Sequence, residues 1–197
     1  RSPSGQIDGG ACPVSAQNAA YADQVIGVRS TKKGLRSTES TTSTAWENKN
    51  RPPLTSYPVD AEEWYETLLV NARAAENDGQ NELAYRIASR VEDAFPVGTD
   101  ISGEALGVRD DYTSLTWLAG QTAYYKLGRF GDAARMFALY GAAARSPQTI
   151  TKGLYWAAIS AEKAGDQASA NQYYERAARY YDHFYGQLAL EKLGRPI

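Results

Sequence analysis

From Val59 onward, hydrophobic residues recur at helical spacing, and polar capping residues and glycines separate the runs. In the stretch VDAEEWYETLLVNARAAENDG, Asp60 is a predicted N-cap, with Glu63 three residues later as in a capping box. Val59 and Trp64 occupy the two positions of a hydrophobic staple. Gly79 marks the predicted end of this helix.

The same signals recur along the chain. Asp111 precedes the run YTSLTWLAGQTAYYKL, which is predicted to end at Gly128. Ser146 and Pro147 supply an N-cap and a proline at the first helical position, and this helix should run to Gly165.

A last helix is predicted between Asp182, which precedes HFYGQLALEKL, and Gly194. Almost no stretch alternates polar and apolar residues as a half-buried strand does. We therefore predict that residues 59–197 form an all-α domain.

The helices also repeat. The segments DGQNELAYRIA (78–88), LGRFGDAARMF (127–137) and AGDQASANQYY (164–174) align without gaps. Each has glycine at its second position and alanine five residues later, at 84, 133 and 170. The last two glycines are 37 residues apart and the first two are 49 apart, so an insertion is predicted near PVGTDISGEALG.

This spacing resembles the tetratricopeptide pattern, in which a helix, a tight glycine turn and a second helix stack into a superhelix of antiparallel hairpins. An alanine lets paired helices approach closely, and a large side chain fills the space between hairpins. We therefore interpret Trp117, Phe137 and Tyr174 as structural core, not as site residues.

Residues 1–58 have a different character. Residues 12–27 are predicted to form a short helix, whereas the segment from Val28 to Pro58 is polar and has no period. Such a segment buries too little apolar surface to offset its ordering entropy, so we predict an extended or mobile linker. A basic patch that binds anionic glycan or polyphosphate is the alternative that we do not favour.

Composition and charge narrow the function classes. A formal net charge of -2 gives no reason to expect nucleic acid as a partner, and no apolar run reaches the ~18 residues of a membrane span. Cys12 is the single cysteine, which excludes an internal disulfide framework and a cysteine-based zinc cluster. The chain has 14 tyrosines and only 4 phenylalanines, which suits stacked helices with aromatic rims better than one large core.

The sequence offers no catalytic, cofactor-binding or metal-binding residues. His183 is the only histidine, so a catalytic triad would depend on it alone, and capping beside Asp182 explains it adequately. The stretch VGTDISG lacks the lysine of a phosphate loop. Several carboxylates lie on helix faces or starts, and any of them would act as a glycosidase acid only in a pocket that raised its pKa: Glu62, Glu63, Glu66, Asp110 and Asp111.

The stretch GLYWAAISAEKAGDQASANQYYERAARYYDHFYGQLALEKLGRP (153–196) resembles the end of the superhelical domain of soluble periplasmic lytic transglycosylases of peptidoglycan. The matching residues include the following: Tyr155, Trp156, Ala157, Ala158, Gly165, Asp166, Ala177, Ala178, Phe184, Tyr185, Gly186, Gln187, Leu188, Ala189, Leu193 and Gly194. Tyr181 stands where the family has a proline. The resemblance extends over residues 60–196, and residues 1–58 resemble no family that we can name.

The resemblance implies a periplasmic superhelix that embraces glycan strands and carries a lysozyme-like catalytic domain. In that domain, one Glu acts first as general acid and then as base, which leaves a 1,6-anhydro sugar. The family places this Glu in a motif that ends in GLMQ. Here Glu39 and Ser40 lie in the low-complexity stretch STESTTST, no GLMQ follows them, and Met136 belongs to a repeat.

The sequence therefore predicts a non-catalytic scaffold whose partners are peptidoglycan strands and a downstream catalytic domain. A free-standing helical-repeat adaptor that binds a protein or peptide is the alternative. Exposed tyrosines could stack on sugar faces while lysines or arginines pair with carboxylates, but the sequence does not decide which tyrosines face the groove. The candidates are Tyr124, Tyr125, Tyr140, Tyr173, Tyr180 and Tyr181.

Overall fold

A computed structural model describes residues 57–197 in full and the backbone of residues 28–31 and 34–37. Strands β1 (Val28–Thr31) and β2 (Gly34–Ser37) pair antiparallel, with Val28 opposite Ser37. Both strands lie within the segment that we predicted to be an extended or mobile linker. Neither strand alternates apolar and polar residues, so the sequence carries no signal for it. The helix predicted in residues 12–27 lies outside the described residues.

Residues 57–197 contain helices and no strand, as predicted. Seven α-helices span this range: α1 (Ala61–Asn77), α2 (Asn81–Ala88), α3 (Leu106–Gln121), α4 (Phe130–Ala142), α5 (Pro147–Lys163), α6 (Gln167–Ala178) and α7 (Phe184–Lys192). A 3₁₀ helix, Ser89–Ala94, directly follows α2, and a second, Ile101–Gly103, lies in the stretch PVGTDISGEALG where an insertion was predicted. Each α-helix packs against its neighbours in sequence, and α1 also contacts α3 while α5 contacts α7.

Two of the predicted helix starts are confirmed. Asp60 Oδ1 accepts hydrogen bonds from the backbone N–H of Glu62 at 2.9 Å and of Glu63 at 3.1 Å. Ser146 Oγ accepts one from the backbone N–H of Thr149 at 3.2 Å. These bonds satisfy amide groups that the first turn leaves without helical partners. Val59 leaves 72% of its surface exposed. It therefore contributes little to the burial of Trp64, against which the predicted hydrophobic staple would pack it.

The other two predicted capping residues are wrong. Helix α3 begins at Leu106, five residues before Asp111, because the turn containing the buried Val108 extends it toward the N-terminus. Helix α7 begins at Phe184 with His183 as its N-cap. Asp182 does not cap it, since its carboxylate lies 2.8 Å from His183 Nδ1.

The aligned glycines share a left-handed backbone conformation, and the aligned alanines share full burial. The turn glycines Gly79, Gly128 and Gly165 have φ values of 72°, 65° and 81°, in the left-handed region that glycine favours. The alanines five residues later are all fully buried: Ala84, Ala133 and Ala170. The side chains nine residues after the glycines are buried as well: Ala88, Phe137 and Tyr174. The structural interpretation of Phe137 and Tyr174 is therefore confirmed.

Glycines of α4 and α5 meet where these two helices cross. A Cβ added to Gly153 would lie 2.6 Å from the Cα and N atoms of Gly141 and 2.8 Å from the Phe137 carbonyl oxygen. Backbone therefore meets backbone, and no side chain fits between the helices.

The buried apolar residues form two adjoining clusters. The first spans α1 to α5 and contains the largest buried side chains, among them Trp64, Tyr65 and Phe137. The second lies among α4 to α7 and consists mainly of alanines, with Leu154 and Tyr174 as its large members. Small residues at the contacts let these helices approach closely, as the alanine-rich composition predicts.

We expect Gly153→Ala to lower the free energy of unfolding by about 1–3 kcal/mol, because its methyl group would press on the backbone of α4. The matched control is Gly131→Ala in α4, where an added Cβ meets nothing within 4 Å. That variant should gain up to about 1 kcal/mol from helix propensity. Urea unfolding of both variants measures the difference, and equal stability of Gly153→Ala and the wild type would contradict the crossing.

Candidate functional site

A continuous group of aromatic rings surrounds Trp156 on α5. Its ring centroid lies 5.6 Å from Phe137, 5.7 Å from Tyr124, 6.1 Å from Tyr125 and 6.2 Å from Trp117. Most of these pairs are edge-on, which aromatic quadrupoles favour. Phe137 is fully buried and anchors the group to the core, whereas Tyr125 leaves 58% of its surface exposed.

Tyr140 on α4 extends the group, since its ring lies 4.9 Å from Trp117. We use the name aromatic surface for the five rings that are not fully buried: Trp117, Tyr124, Tyr125, Tyr140 and Trp156. Trp117 is half-buried, so its interpretation as core is only partly correct. Its ring lies 5.1 Å from the buried ring of Phe137 and also belongs to the aromatic surface, so it connects the core to that surface.

The two adjacent tyrosines reach the same tryptophan because the helix widens beneath them. After α3, residues Thr122–Leu127 form a π-helical turn, which closes at Gly128. Such turns rotate side chains relative to a regular helix and occur often at functional sites. Tyr124 and Tyr125 are 4.8 Å apart, and both contact Trp156.

Two lysines of α5 flank the aromatic surface. Lys152 Nζ lies 3.6 Å from the Trp117 ring centroid and 5.6 Å from that of Tyr140. Lys163 Nζ lies 4.7 Å from the Tyr124 centroid. Burial lowers the pKa of Lys152, and burial followed by the charge of Tyr185 raises the pKa of Tyr140. The aromatic surface therefore combines flat apolar rings with positive charge.

A second group of rings closes the last repeat. Tyr155 lies 5.8 Å from Tyr174 and 5.6 Å from Tyr185. Tyr174 Oη donates a 2.8 Å hydrogen bond to Glu162, and Lys192 Nζ is 3.2 Å from the same carboxylate. The hydrogen bond from Tyr174, aided by Lys192, lowers the pKa of Glu162. These contacts hold α7 on α5 and α6, so this group is structural.

A shallow groove of about 370 Å³ lies among α4, α5 and α6. Its floor is made of alanines, and its polar residues are Arg135, Asp166, Ser169, Tyr173 and Arg176. Arg135 also forms an ion pair with Glu92. The groove involves the second helices of two repeats, α4 and α6, whereas the aromatic surface is centred on the first helices, α3 and α5.

The structure separates the six candidate tyrosines. Tyr124, Tyr125 and Tyr140 belong to the aromatic surface, whereas Tyr173 lines the groove. Tyr180 and Tyr181 lie in the turn before α7, and the Tyr180 ring is 6.3 Å from His183.

Sequence reasoning missed Trp156 and Lys152 as candidate contacts. Their spacing of four residues, which places them on one face of a helix, is the signal that could have found them.

The structure brings the candidate carboxylate of Asp111 near those of Glu62, Glu66 and Asp110. Among residues 57–197, no three His, Cys, Asp or Glu side chains could together hold a metal ion. Burial raises the pKa of Asp111, as do the nearby charges of Glu66, Glu62 and Asp110. Desolvation is the larger cause, and the like charges on α1 and α3 add to it, since both disfavour the ionised form. Within the same residues no helix has the length and apolarity to cross a bilayer.

Comparison of the chain with protein-family models, with curated proteins and with solved structures finds no match.

The raised pKa of Asp111 predicts a pH-dependent stability. A carboxyl whose pKa is raised by folding destabilises the folded state as pH rises from the unfolded pKa through the folded one. Asp111→Asn should therefore be more stable than the wild type at pH 7, and this gain should vanish in acid. Thermal unfolding between pH 3 and pH 7 measures it, with the exposed Glu191→Gln as control. A difference in stability between Asp111→Asn and the wild type that stays constant from pH 3 to pH 7 would contradict the raised pKa of Asp111.

Proposed function

We propose that residues 59–197 are the superhelical, non-catalytic scaffold of a periplasmic peptidoglycan lytic transglycosylase. In this proposal the aromatic surface holds glycan strands for a lysozyme-like domain located elsewhere in the parent protein. The sequence resemblance over residues 60–196 is the reason why we propose this family. The observation that carries the proposal is the aromatic surface itself, flanked by Lys152 and Lys163.

The chemistry of this surface suits a glycan. Sugar rings present flat C–H faces that pack on aromatic rings, and these rings are already held in place by their mutual contacts. Glycan strands of peptidoglycan carry lactyl or peptide carboxylates, with which lysine ammonium groups pair. Rigid rings lose little conformational freedom on binding, which favours affinity.

A helical-repeat adaptor that binds a peptide is the second candidate. The groove favours it, because Arg135 and Arg176 stand beside an alanine floor that could receive apolar side chains. The charge of the groove is partly balanced by Asp166, and Glu92 already pairs with Arg135. Among residues 57–197, neither Lys152 nor Lys163 forms a salt bridge, so we favour the glycan scaffold.

The proposal predicts that the chain binds insoluble peptidoglycan. Wild-type protein should co-sediment with purified sacculi, and Tyr125→Ala should weaken binding about two- to tenfold through the loss of one stacking ring. Tyr181→Ala is the matched control, because Tyr181 is 69% exposed and lies outside the aromatic surface. Equal loss in both variants, or no co-sedimentation, would refute the proposal. The chain alone should not clear a murein suspension.

The gene distinguishes the two candidates. The scaffold proposal expects the reading frame to continue past Ile197 into a lysozyme-like domain. The adaptor proposal expects it to stop near Ile197 and a protein partner to co-purify. Sequencing a few hundred bases downstream decides between them, and a stop codon directly after Ile197 would contradict the scaffold in its simple form.

A further inference from the structure

The ammonium group of Lys152 covers the face of Trp117. Lys152 Nζ lies 3.6 Å from the Trp117 ring centroid. An atom of another residue that touches the edge of an indole ring in its plane lies farther from the centroid than this. Lys152 Nζ must therefore lie above the ring plane. On the core side Trp117 packs against the buried Phe137. A ligand that stacks on the face of Trp117 covered by Lys152 must therefore displace its ammonium group.

Lys152 differs from the cations that form ion pairs. Lys192 pairs with Glu162, and Arg195 pairs with Glu175. Within residues 57–197, by contrast, no carboxylate lies within ion-pair distance of Lys152, and the rings of Trp117 and Tyr140 are its close neighbours. Burial lowers the pKa of Lys152, as expected for a partly desolvated ammonium without an acidic partner.

We propose that Lys152 masks Trp117 and thereby makes the aromatic surface selective for anionic saccharides. A neutral sugar that displaces the ammonium breaks its contact with the ring and offers no charge in return. A sugar with a carboxylate gives Lys152 a charge-assisted hydrogen bond while its ring takes the uncovered indole face. This inference rests on the proposed glycan-binding function. It adds to that function the residue that discriminates between charged and neutral ligands.

Lys163 provides an internal comparison on the same helix. Its Nζ lies 4.7 Å from the Tyr124 centroid and 5.3 Å from that of Phe130. Lys163 thus carries the same charge beside the same aromatic surface but does not cover Trp117. Replacing it changes the net charge of the surface equally and leaves the proposed mask in place.

The test compares one saccharide in two charge states. The probe is a tetrasaccharide of alternating N-acetylglucosamine and N-acetylmuramic acid, either with free lactyl carboxylates or with these converted to amides. Calorimetry should show wild-type protein preferring the anionic form by about tenfold. Lys152→Ala should bind that form about tenfold more weakly and the amide form about threefold more tightly. Lys163→Ala should keep the wild-type order of preference.

Two results would overturn the mask. In the first, wild-type protein binds both saccharide forms and Lys152→Ala keeps the wild-type ratio of the two affinities. This result would exclude the mask but leave the proposed glycan-binding function intact. The other is binding of neither form by wild-type protein, which removes the proposed function as well.

A measurement without ligand tests the geometry directly. Acrylamide should quench Trp117 fluorescence more strongly in Lys152→Ala than in wild-type protein, and this increase should disappear when Trp117→Phe is added. Unchanged quenching in Lys152→Ala would also overturn the proposal.

Discussion

The backbone contact between Gly141 and Gly153 determines the spacing of the central helices. Because no Cβ separates α4 from α5, the residues beside the two glycines are brought together as well. Tyr140 precedes one glycine and Lys152 precedes the other, and their side chains meet, with Lys152 Nζ 5.6 Å from the Tyr140 ring. The Phe137 carbonyl also reaches this crossing, so the buried ring under Trp117 is held by the same contact. The aromatic surface thus depends on two residues without side chains.

Away from this crossing, alanine performs a similar role at each repeat. The alanines that follow the turn glycines are fully buried: Ala84, Ala133 and Ala170. The size of the buried side chain four residues after each alanine differs from repeat to repeat. That position holds Ala88 in the first repeat, Phe137 in the second and Tyr174 in the third. Equivalent backbones can therefore carry different surfaces, because the rings that project beyond the core differ from repeat to repeat.

Local chemistry determined which features could be predicted. The caps at Asp60 and Ser146 and the turn glycines follow from hydrogen bonds and φ preferences within a few residues, so the sequence reveals them. The start of α3 depends on packing of the turn around Val108, which a nearby capping residue does not indicate. The hairpin of residues 28–37 lacks the alternation that signals a strand. The sequence offered Tyr124, Tyr125 and Tyr140 as candidates. The meeting of the rings in one surface could not be predicted, because it depends on the helix crossing and on the π-helical turn of residues 122–127.

The origin of the aromatic surface bears on what it can bind. Rings fixed by a backbone contact and by one another cannot adapt to varied shapes, so they suit a stiff ligand with flat faces better than a flexible peptide. The groove among α4, α5 and α6 has the opposite character, since the exposed Arg176 can move to meet different partners. A rigid array of rings with one movable cation, Lys152, combines fixed shape recognition with a charge that responds to the ligand. That combination is the physical reason why we propose a charged glycan as the ligand of this surface.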